Sequence, residues 1–286
     1  MFYIFNKIIH QSSFLFIGQQ TNMVSNRKVK RLKSSSKPTQ RDYDQQKYWH
    51  DRYEAKFQGK KLDVNDDHTD EWYFSYSDIS DVLKSYLKQF HRQSPVLDIG
   101  CGVSEIFDEL SKDHFTGPFV GVDYCSIVID RCNQLKKNTL YHYLAADMMG
   151  KCKPSLPLSS YGLIIDKATT DGILCNKSNL STISIMYEHI SNLLLSNGIF
   201  LLITIKTVDD TDWFEDCLIP ALIRGSQKQK TKFLIHFHRC MTYTDGTENG
   251  PNIFVIMKYE CKSYSLRSSL TRNVDDISQI VTVKCY

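Results

Sequence analysis

The stretch VLDIGCG, residues 96–102, has the pattern of a buried strand that runs into a tight turn. Its first half is apolar, and Gly100 and Gly102 allow the backbone to turn sharply and to approach a ligand closely. Apolar residues at helical spacing follow in 106–110. A strand, a glycine turn and a helix in this order predict the first crossover of an α/β fold, with a ligand at the turn.

Strand patterns alternate with helical patterns through the next hundred residues. Further strands are predicted at FVGVD (119–123), LYHYLAAD (140–147), YGLIID (161–166) and GIFLLITI (198–205). Two helical patterns precede the first strand, at QQKYWHDRYEAKF (45–57) and at about 77–90. Such alternation indicates βαβ units and a parallel sheet whose ligands bind at the carboxyl ends of the strands.

The alternation stops near the end of the chain. KFLIHFHR (232–239) and NIFVIMKYE (252–260) predict two strands joined by turn residues, which indicates an antiparallel pair that closes one edge of the sheet. The predicted fold class is therefore α/β, with a seven-stranded sheet that is mostly parallel, has an antiparallel edge strand and carries helices on both faces.

Composition divides the chain into three predicted parts. Residues 1–41 hold eight Lys or Arg and no Asp or Glu, residues 42–262 hold the strand and helix patterns, and residues 263–286 form a Ser-rich tail that is expected to be loose. Without its leader the chain carries 27 basic and 32 acidic residues, which argues against a broad nucleic-acid footprint on the domain.

The leader, residues 1–41, is open to three interpretations. Its basic, acid-free composition is typical of a mitochondrial transit peptide, and RKVKRLK (27–33) also fits a nuclear-type basic run or a solvated tail. Its apolar start is interrupted by polar residues and is too short to span a bilayer, so no membrane partner is predicted. Nine cysteines without a C-x-x-C pair indicate an intracellular protein, cytoplasmic or, with a transit peptide, mitochondrial.

Carboxylates at the predicted strand ends indicate the kind of ligand. Asp123 ends the second strand, 21 residues after Gly102, where a carboxylate can accept hydrogen bonds from both hydroxyls of a ribose. Asp147 ends the third strand, where it or the adjacent backbone can meet an adenine amino group. The third glycine of a dinucleotide site and a P-loop lysine are both absent from the sequence, so no pyrophosphate is predicted. S-adenosylmethionine fits this description and is the predicted cofactor.

The order VLDIGCG, GVDY, AAD and LIIDK resembles the seven-strand, Rossmann-like fold of S-adenosylmethionine-dependent methyltransferases. More narrowly, YWHDRY, EWYF, DIGCGVS and DKATTD resemble the methyltransferase-like protein-lysine methyltransferases, a group that includes enzymes acting on elongation factor 1-alpha and on citrate synthase. The resemblance covers roughly residues 45–260, and the DK-x-T-x-D element with its upstream aromatic pairs is its most specific part. It implies an N-methyltransferase whose partner is a protein carrying the acceptor lysine.

The resemblance also implies which residues line the cofactor. They are Trp49, Tyr53, Trp72, Gly100, Asp123, Tyr124, Asp147, Met148 and Lys167. Periodicity alone would make the three aromatic residues at 49, 53 and 72 core residues. The sequence departs from the family at Ala168, which usually is Gly, at Gly172, which usually is Ala, and at Val103, where Asn or Thr is common. These departures concern the shape of the loop and the choice of substrate more than cofactor binding.

Two adjacent charges, Asp166 and Lys167, end the fourth predicted strand. Consecutive residues of a strand point to opposite sides, so the two should not serve the same contact. We expect Lys167 to contact the carboxylate end of the cofactor, and Asp166 and Asp171 to face the acceptor amine as the catalytic residues. The alternative is a structural ion pair between Asp166 and Lys167.

Other patterns leave alternatives open. Asp98 is expected to hold the glycine turn by accepting backbone N–H bonds. His236, His238 and Cys240 share one face of a predicted strand, which fits an incomplete metal site or a face packed by a helix, and no metal is predicted. The rival functions are small-molecule methylation and a catalytically silent binding module, and the intact glycine turn and strand-end carboxylates argue against the silent module.

Overall fold

The computed structural model describes the chain in eight stretches. They are residues 42–59, 72–87, 91–136, 138–150, 155–226, 231–239, 251–260 and 280–284. The predicted leader at 1–41, most of the predicted tail and Cys240 lie outside the described residues, and the predicted domain limits stay predictions. Within the described stretches, no helix combines the length and the hydropathy needed to cross a membrane.

The described elements follow the order expected of βαβ units. The helices are α1 (Gln46–Phe57), α2 (Tyr76–Leu87), α3 (Ile106–Lys112), α4 (Ser126–Leu135), α5 (Thr169–Leu174), α6 (Leu180–Leu193), α7 (Thr211–Trp213) and α8 (Ile219–Gly225). The strands are β1 (Val96–Ile99), β2 (Phe119–Asp123), β3 (Tyr141–Ala145), β4 (Tyr161–Lys167), β5 (Leu194–Thr204), β6 (Thr231–Arg239), β7 (Asn252–Glu260) and β8 (Ile280–Lys284).

The strands form one sheet in the order β3-β2-β1-β4-β5-β7-β6-β8. β1 to β5 are mutually parallel, and β7 is antiparallel to β5 and to β6. The predicted α/β class with a mostly parallel, mixed sheet is therefore confirmed. The chain continues from β1 to β2 and β3 on one side of the sheet and from β4 to β5 on the other, so the strand order reverses between β1 and β4. Such a reversal opens a crevice at the carboxyl ends of the two strands.

The central strands are apolar runs because helices cover both faces of the sheet. Alternate residues of β1 and β4 enter two cores: Leu97 and Ile164 pack with α6 and α8, whereas Val96 and Leu163 pack with α2 and α3. All four side chains are fully buried. The rigid sheet between these two layers fixes the positions of the loops that follow each strand.

The predicted antiparallel pair is formed by β6 and β7 and lies beyond β5 on one side of the sheet. One feature of the sheet differs from the sequence prediction. An eighth strand, β8, pairs with β6 and falls within the segment predicted to be a loose tail. A strand this short needs a partner that offers a free edge, which local sequence does not reveal.

Candidate active site

A cavity of about 280 Å³ opens at the carboxyl ends of the parallel strands. The nine residues predicted to line the cofactor all line this cavity: Trp49, Tyr53, Trp72, Gly100, Asp123, Tyr124, Asp147, Met148 and Lys167. Asp171, one of the two predicted catalytic residues, lines it too. The fold thus brings together nine positions that are spread over more than a hundred residues of sequence. Their contacts with a cofactor stay a prediction.

The glycine turn after β1 forms part of the cavity wall. Gly100 has a φ of +64° and Gly102 a φ of +52°, in the left-handed region that favours glycine. A Cβ at Gly100 would collide with the side chain of Thr169, and a Cβ at Gly102 would lie 2.8 Å from the Tyr53 hydroxyl oxygen. Both glycines are therefore required by conformation and by close packing, and the turn leaves room for a ligand.

Asp123 holds this turn from the end of β2. Its Oδ2 accepts a hydrogen bond from the Gly102 amide at 3.1 Å, and its Oδ1 accepts one from the Cys125 amide at 2.9 Å. Asp123 thus makes a hydrogen bond to the glycine turn of the kind that was predicted for Asp98. Burial raises the pKa of Asp123, while the backbone hydrogen bonds oppose that shift. A carboxylate offers about four lone-pair positions, so Asp123 retains acceptor capacity for a ligand.

Residues that follow β3 form the next part of the wall. Asp147 is exposed, and its Oδ1 accepts a hydrogen bond from the Met149 amide at 2.8 Å. Met148 is buried, and its carbonyl oxygen lies 3.1 Å from Nδ1 of His189 on α6. These contacts fix the backbone between Asp147 and Met149, where the sequence predicts the adenine.

Aromatic side chains from the N-terminal segment cover the cavity. The Trp49 ring lies 6.2 Å from the Tyr53 ring and 5.7 Å from the Trp72 ring, between centroids. The indole N–H of Trp49 donates to the carbonyl oxygen of Tyr43 at 2.7 Å, which fixes the ring. Tyr43 also lines the cavity and was not among the predicted residues. The result is a largely apolar wall opposite the strand ends.

The end of β4 separates its two charges, as strand alternation predicts. Asp166 is fully buried and does not line the cavity. Its carboxylate accepts hydrogen bonds from Oγ1 of Thr170 at 2.6 Å and from the Thr170 amide at 3.2 Å. Burial raises the pKa of Asp166 to about 7. The structure corrects the predicted catalytic placement of Asp166. Its carboxylate does not line the cavity and instead accepts hydrogen bonds from the first turn of α5, whose amides lack partners within the helix.

Lys167 points the other way and lines the cavity. Its Nζ lies 3.5 Å from the carbonyl oxygen of Phe74, and burial lowers its pKa to about 8. The predicted alternative, an ion pair with Asp166, does not fit these opposite directions. Ala168, the next residue, has a φ of +71°, which explains why a glycine suits this position.

Asp171 sits at the centre of a hydrogen-bond network at the β5 end of the cavity. Its Oδ1 accepts from Oγ1 of Thr204 at 2.6 Å, and its Oδ2 accepts from the Ile205 amide at 3.1 Å and from the Tyr73 hydroxyl at 3.0 Å. Burial raises its pKa, and these bonds oppose the shift. Tyr73 was not among the predicted site residues, although it belongs to the quoted EWYF stretch. Its partner Asp171 lies 98 residues away, so no local signal connects the two.

The histidines of β6 pack against α2. The Nε2 of His238 lies 2.6 Å from the Tyr86 hydroxyl oxygen, and the rings of His236 and His238 meet the Tyr86 ring edge-on. Burial lowers the pKa of both histidines, that of His238 to about 4. Of the two interpretations of this strand face, the helix-packed one fits these contacts. Cys240 lies outside the described residues.

The donor set of the cavity fits S-adenosylmethionine. A turn with two positive-φ glycines permits a close approach of the backbone, and Asp123 offers an acceptor for ribose hydroxyls. Lys167 offers a cation for a carboxylate, and the aromatic wall suits an apolar or weakly solvated group. The carboxyl ends of β1 and β2 are also where α/β sheets hold their ligands.

Comparisons with known proteins agree with this arrangement. Residues 90–251 match a family described as a methyltransferase domain, which is more than half of the chain. The human eEF1A lysine and N-terminal methyltransferase is 28% identical over 140 residues, which cover 47% of this chain and 19% of the relative. The yeast Saccharomyces cerevisiae protein-lysine N-methyltransferase EFM4 is 24% identical over 179 residues, which cover 57% of this chain and 76% of the relative.

A third relative carries a less specific name. The methyltransferase srdJ of Neurospora crassa is 27% identical over 146 residues, which cover 49% of this chain and 58% of the relative. The chain therefore spans less than two thirds of the length of this protein and of the human one. The predicted resemblance to protein-lysine methyltransferases is confirmed at the level of sequence similarity.

Proposed function

The chain belongs to the methyltransferase-domain family, and we propose that it is an S-adenosylmethionine-dependent methyltransferase that methylates the side-chain amine of a lysine in a protein substrate. The observation that carries the proposal is the cavity itself, which has a ribose-type carboxylate, Asp123, at one end and the Tyr73–Asp171 network under an aromatic wall at the other. The names of the human and yeast relatives add support.

The residues that would hold the cofactor follow from the geometry of the cavity. The turn at Gly100 and Gly102 admits it closely, Asp123 accepts hydrogen bonds from its ribose, and the Lys167 ammonium pairs with its carboxylate. When bound, S-adenosylmethionine supplies a methyl group whose carbon exchanges its bond to sulfur for a bond to the acceptor nitrogen, with the bonding electrons kept by sulfur and a proton of the nitrogen released to water.

The acceptor nitrogen must be neutral to react. A free lysine has a pKa of about 10.4, so deprotonation near neutral pH costs roughly 4 kcal/mol. A water-poor aromatic cavity disfavours the ammonium and lowers that cost. Correct positioning of the two reactants can supply about 7–11 kcal/mol more. We therefore propose that Asp171, whose oxygens already hold three hydrogen bonds, acts by orienting groups at the acceptor end and not as a strong base.

A methyl-transfer assay tests the proposal. The protein is incubated with cell lysate and S-adenosylmethionine that carries a tritiated methyl group, and the products are separated by size. We expect label in one or a few protein bands, and acid hydrolysis of those bands should release methylated lysine. Label confined to small molecules would favour the small-molecule rival. No transfer by a protein that binds S-adenosylhomocysteine in calorimetry would favour the silent binding module.

A further inference from the structure

Residues 72–74, of which Trp72 and Tyr73 line the cavity, form a strained turn. The Phe74 amide donates a hydrogen bond to the carbonyl oxygen of Trp72 at 2.8 Å, and the residue between them, Tyr73, has a φ of +65°. A hydrogen bond of this type around a central residue with positive φ makes a γ-turn of the rare, strained form. Such strain in a bulky residue persists only where its surroundings impose it, and it is concentrated at functional sites.

Two contacts hold this turn, one from the last residue of β4 and one from α5. The Tyr73 hydroxyl donates to Oδ2 of Asp171 at 3.0 Å, and the carbonyl oxygen of Phe74 lies 3.5 Å from Nζ of Lys167. Trp72 and Tyr73 both line the cavity. We call residues 72–74 the clasp, since they are held against the DKATTD segment from across the cavity.

The clasp lies far from the ribose end of the cavity. Asp171 is bonded to Thr204, the last residue of β5, whereas Asp123 is the last residue of β2. Three strand spacings of about 4.8 Å separate β2 from β5 in the sheet, so the two ends are on the order of 14 Å apart. If Asp123 meets the ribose, the Tyr73 hydroxyl lies beyond it, toward the reacting groups.

The chemistry of the Tyr73 hydroxyl restricts what it can do there. Burial and the negative charge of Asp171 raise its pKa, so the phenol keeps its proton and cannot act as a base. That proton is directed at Asp171, which leaves the lone pairs of the oxygen to accept a hydrogen bond from an N–H group. An oxygen fixed in this way can orient an amine without removing its proton.

We infer that Tyr73 is a positioning residue: its hydroxyl oxygen, fixed by Asp171, accepts a hydrogen bond from the acceptor nitrogen and directs that nitrogen at the methyl donor. The inference rests on the proposed methylation of an amine. It assigns Asp171 an indirect role through Tyr73 and makes the clasp the acceptor-side wall of the cavity.

A pair of cofactor analogues tests this inference without a protein substrate. Sinefungin carries a primary amine where S-adenosylmethionine carries its sulfonium methyl group, and S-adenosylhomocysteine has no group there. Calorimetry measures the affinity of both for the wild type and for Tyr73→Phe. We expect Tyr73→Phe to weaken sinefungin binding about tenfold, as for one hydrogen bond to a charged group, and to change S-adenosylhomocysteine binding by less than about twofold.

Tyr76→Phe is the matched control. The Tyr76 hydroxyl donates to Oδ2 of Asp113 at 2.6 Å, so this variant also removes a tyrosine–aspartate hydrogen bond, but away from the cavity. It should leave the affinity of both ligands unchanged. Tyr73→Asn provides a second variant in case Tyr73→Phe fails to fold, because asparagine tolerates a positive φ. It should show the same selective loss of sinefungin binding.

Three results would overturn the inference. Equal losses for both ligands in Tyr73→Phe would place Tyr73 at the amino-acid end of the cofactor. Unchanged affinities for both would make the clasp a purely structural turn. A selective loss of sinefungin binding in Tyr76→Phe as well would mean that removal of a tyrosine–aspartate hydrogen bond away from the cavity has the same effect. These calorimetric measurements need no acceptor protein. A lysate assay that yields no labelled methyl-lysine would therefore contradict the proposed function without changing the calorimetric result for Tyr73→Phe.

Discussion

Replacing Ala168 by glycine should stabilise the protein, although the same change destabilises most sites. Ala168 links β4 to α5 with a φ of +71°, where its Cβ approaches the following carbonyl group. Its backbone is fixed by two hydrogen bonds, from its amide to the Ile203 carbonyl at 3.0 Å and from the Gly172 amide to its own carbonyl at 3.0 Å. The position therefore cannot relax to a negative φ without loss of both.

The size of the effect follows from two opposing contributions. A left-handed conformation costs an L-residue about 1–2 kcal/mol, which glycine does not incur. Glycine gains unfolded-state entropy worth about 0.4–1 kcal/mol, which acts against folding. The net stabilisation from Ala168→Gly should therefore be about 0.8 kcal/mol, which corresponds to a rise in Tm of about 2–3 °C for a domain of this size.

Urea unfolding measures the change, with the midpoint as the readout and the slope as the check on two-state behaviour. Ala55→Gly is the matched control: Ala55 lies within α1 and has no positive φ, so glycine there should destabilise by about 1 kcal/mol. The two identical substitutions should thus shift the midpoint in opposite directions. A loss of stability in Ala168→Gly comparable to that in Ala55→Gly would refute the assignment of strain to Ala168.

Three further predictions concern charged residues. Asp123→Ala should weaken S-adenosylhomocysteine binding by about 1.5–3 kcal/mol, and an unchanged calorimetric affinity would remove Asp123 from the site. Because burial lowers the pKa of Lys167 to about 8, its ammonium is lost as pH rises from 7 to 9. Calorimetric affinity for the same ligand should therefore fall more steeply over that range in the wild type than in Lys167→Met, and parallel profiles would exclude this contact. Buried Lys258 donates to the carbonyl oxygens of Ser191 at 2.7 Å and Leu194 at 2.9 Å, near the end of α6. Lys258→Met should therefore lower the free energy of unfolding by about 1.5–3 kcal/mol in urea titrations, and an unchanged midpoint would contradict a role for these bonds.

Local sequence determined the elements of this protein that depend on neighbours along the chain. The run before Gly100 is apolar because both faces of β1 are covered, and the spacing to Asp123 spans one helix and one strand. Periodicity and turn residues record such short-range requirements directly. The family resemblance then supplied Trp49, Tyr53 and Trp72, which periodicity alone assigned to the core.

Only the tertiary structure decided which side of each strand end faces the cavity. Alternation along β4 predicts that the side chains of Asp166 and Lys167 point to opposite sides. It does not predict that the Asp166 carboxylate accepts hydrogen bonds from Thr170 in the first turn of α5. The Tyr73–Asp171 hydrogen bond likewise joins residues 98 positions apart. β8 forms only because β6 offers it an edge. Sequence patterns report a residue's local environment, whereas these contacts depend on how separate elements meet around the sheet.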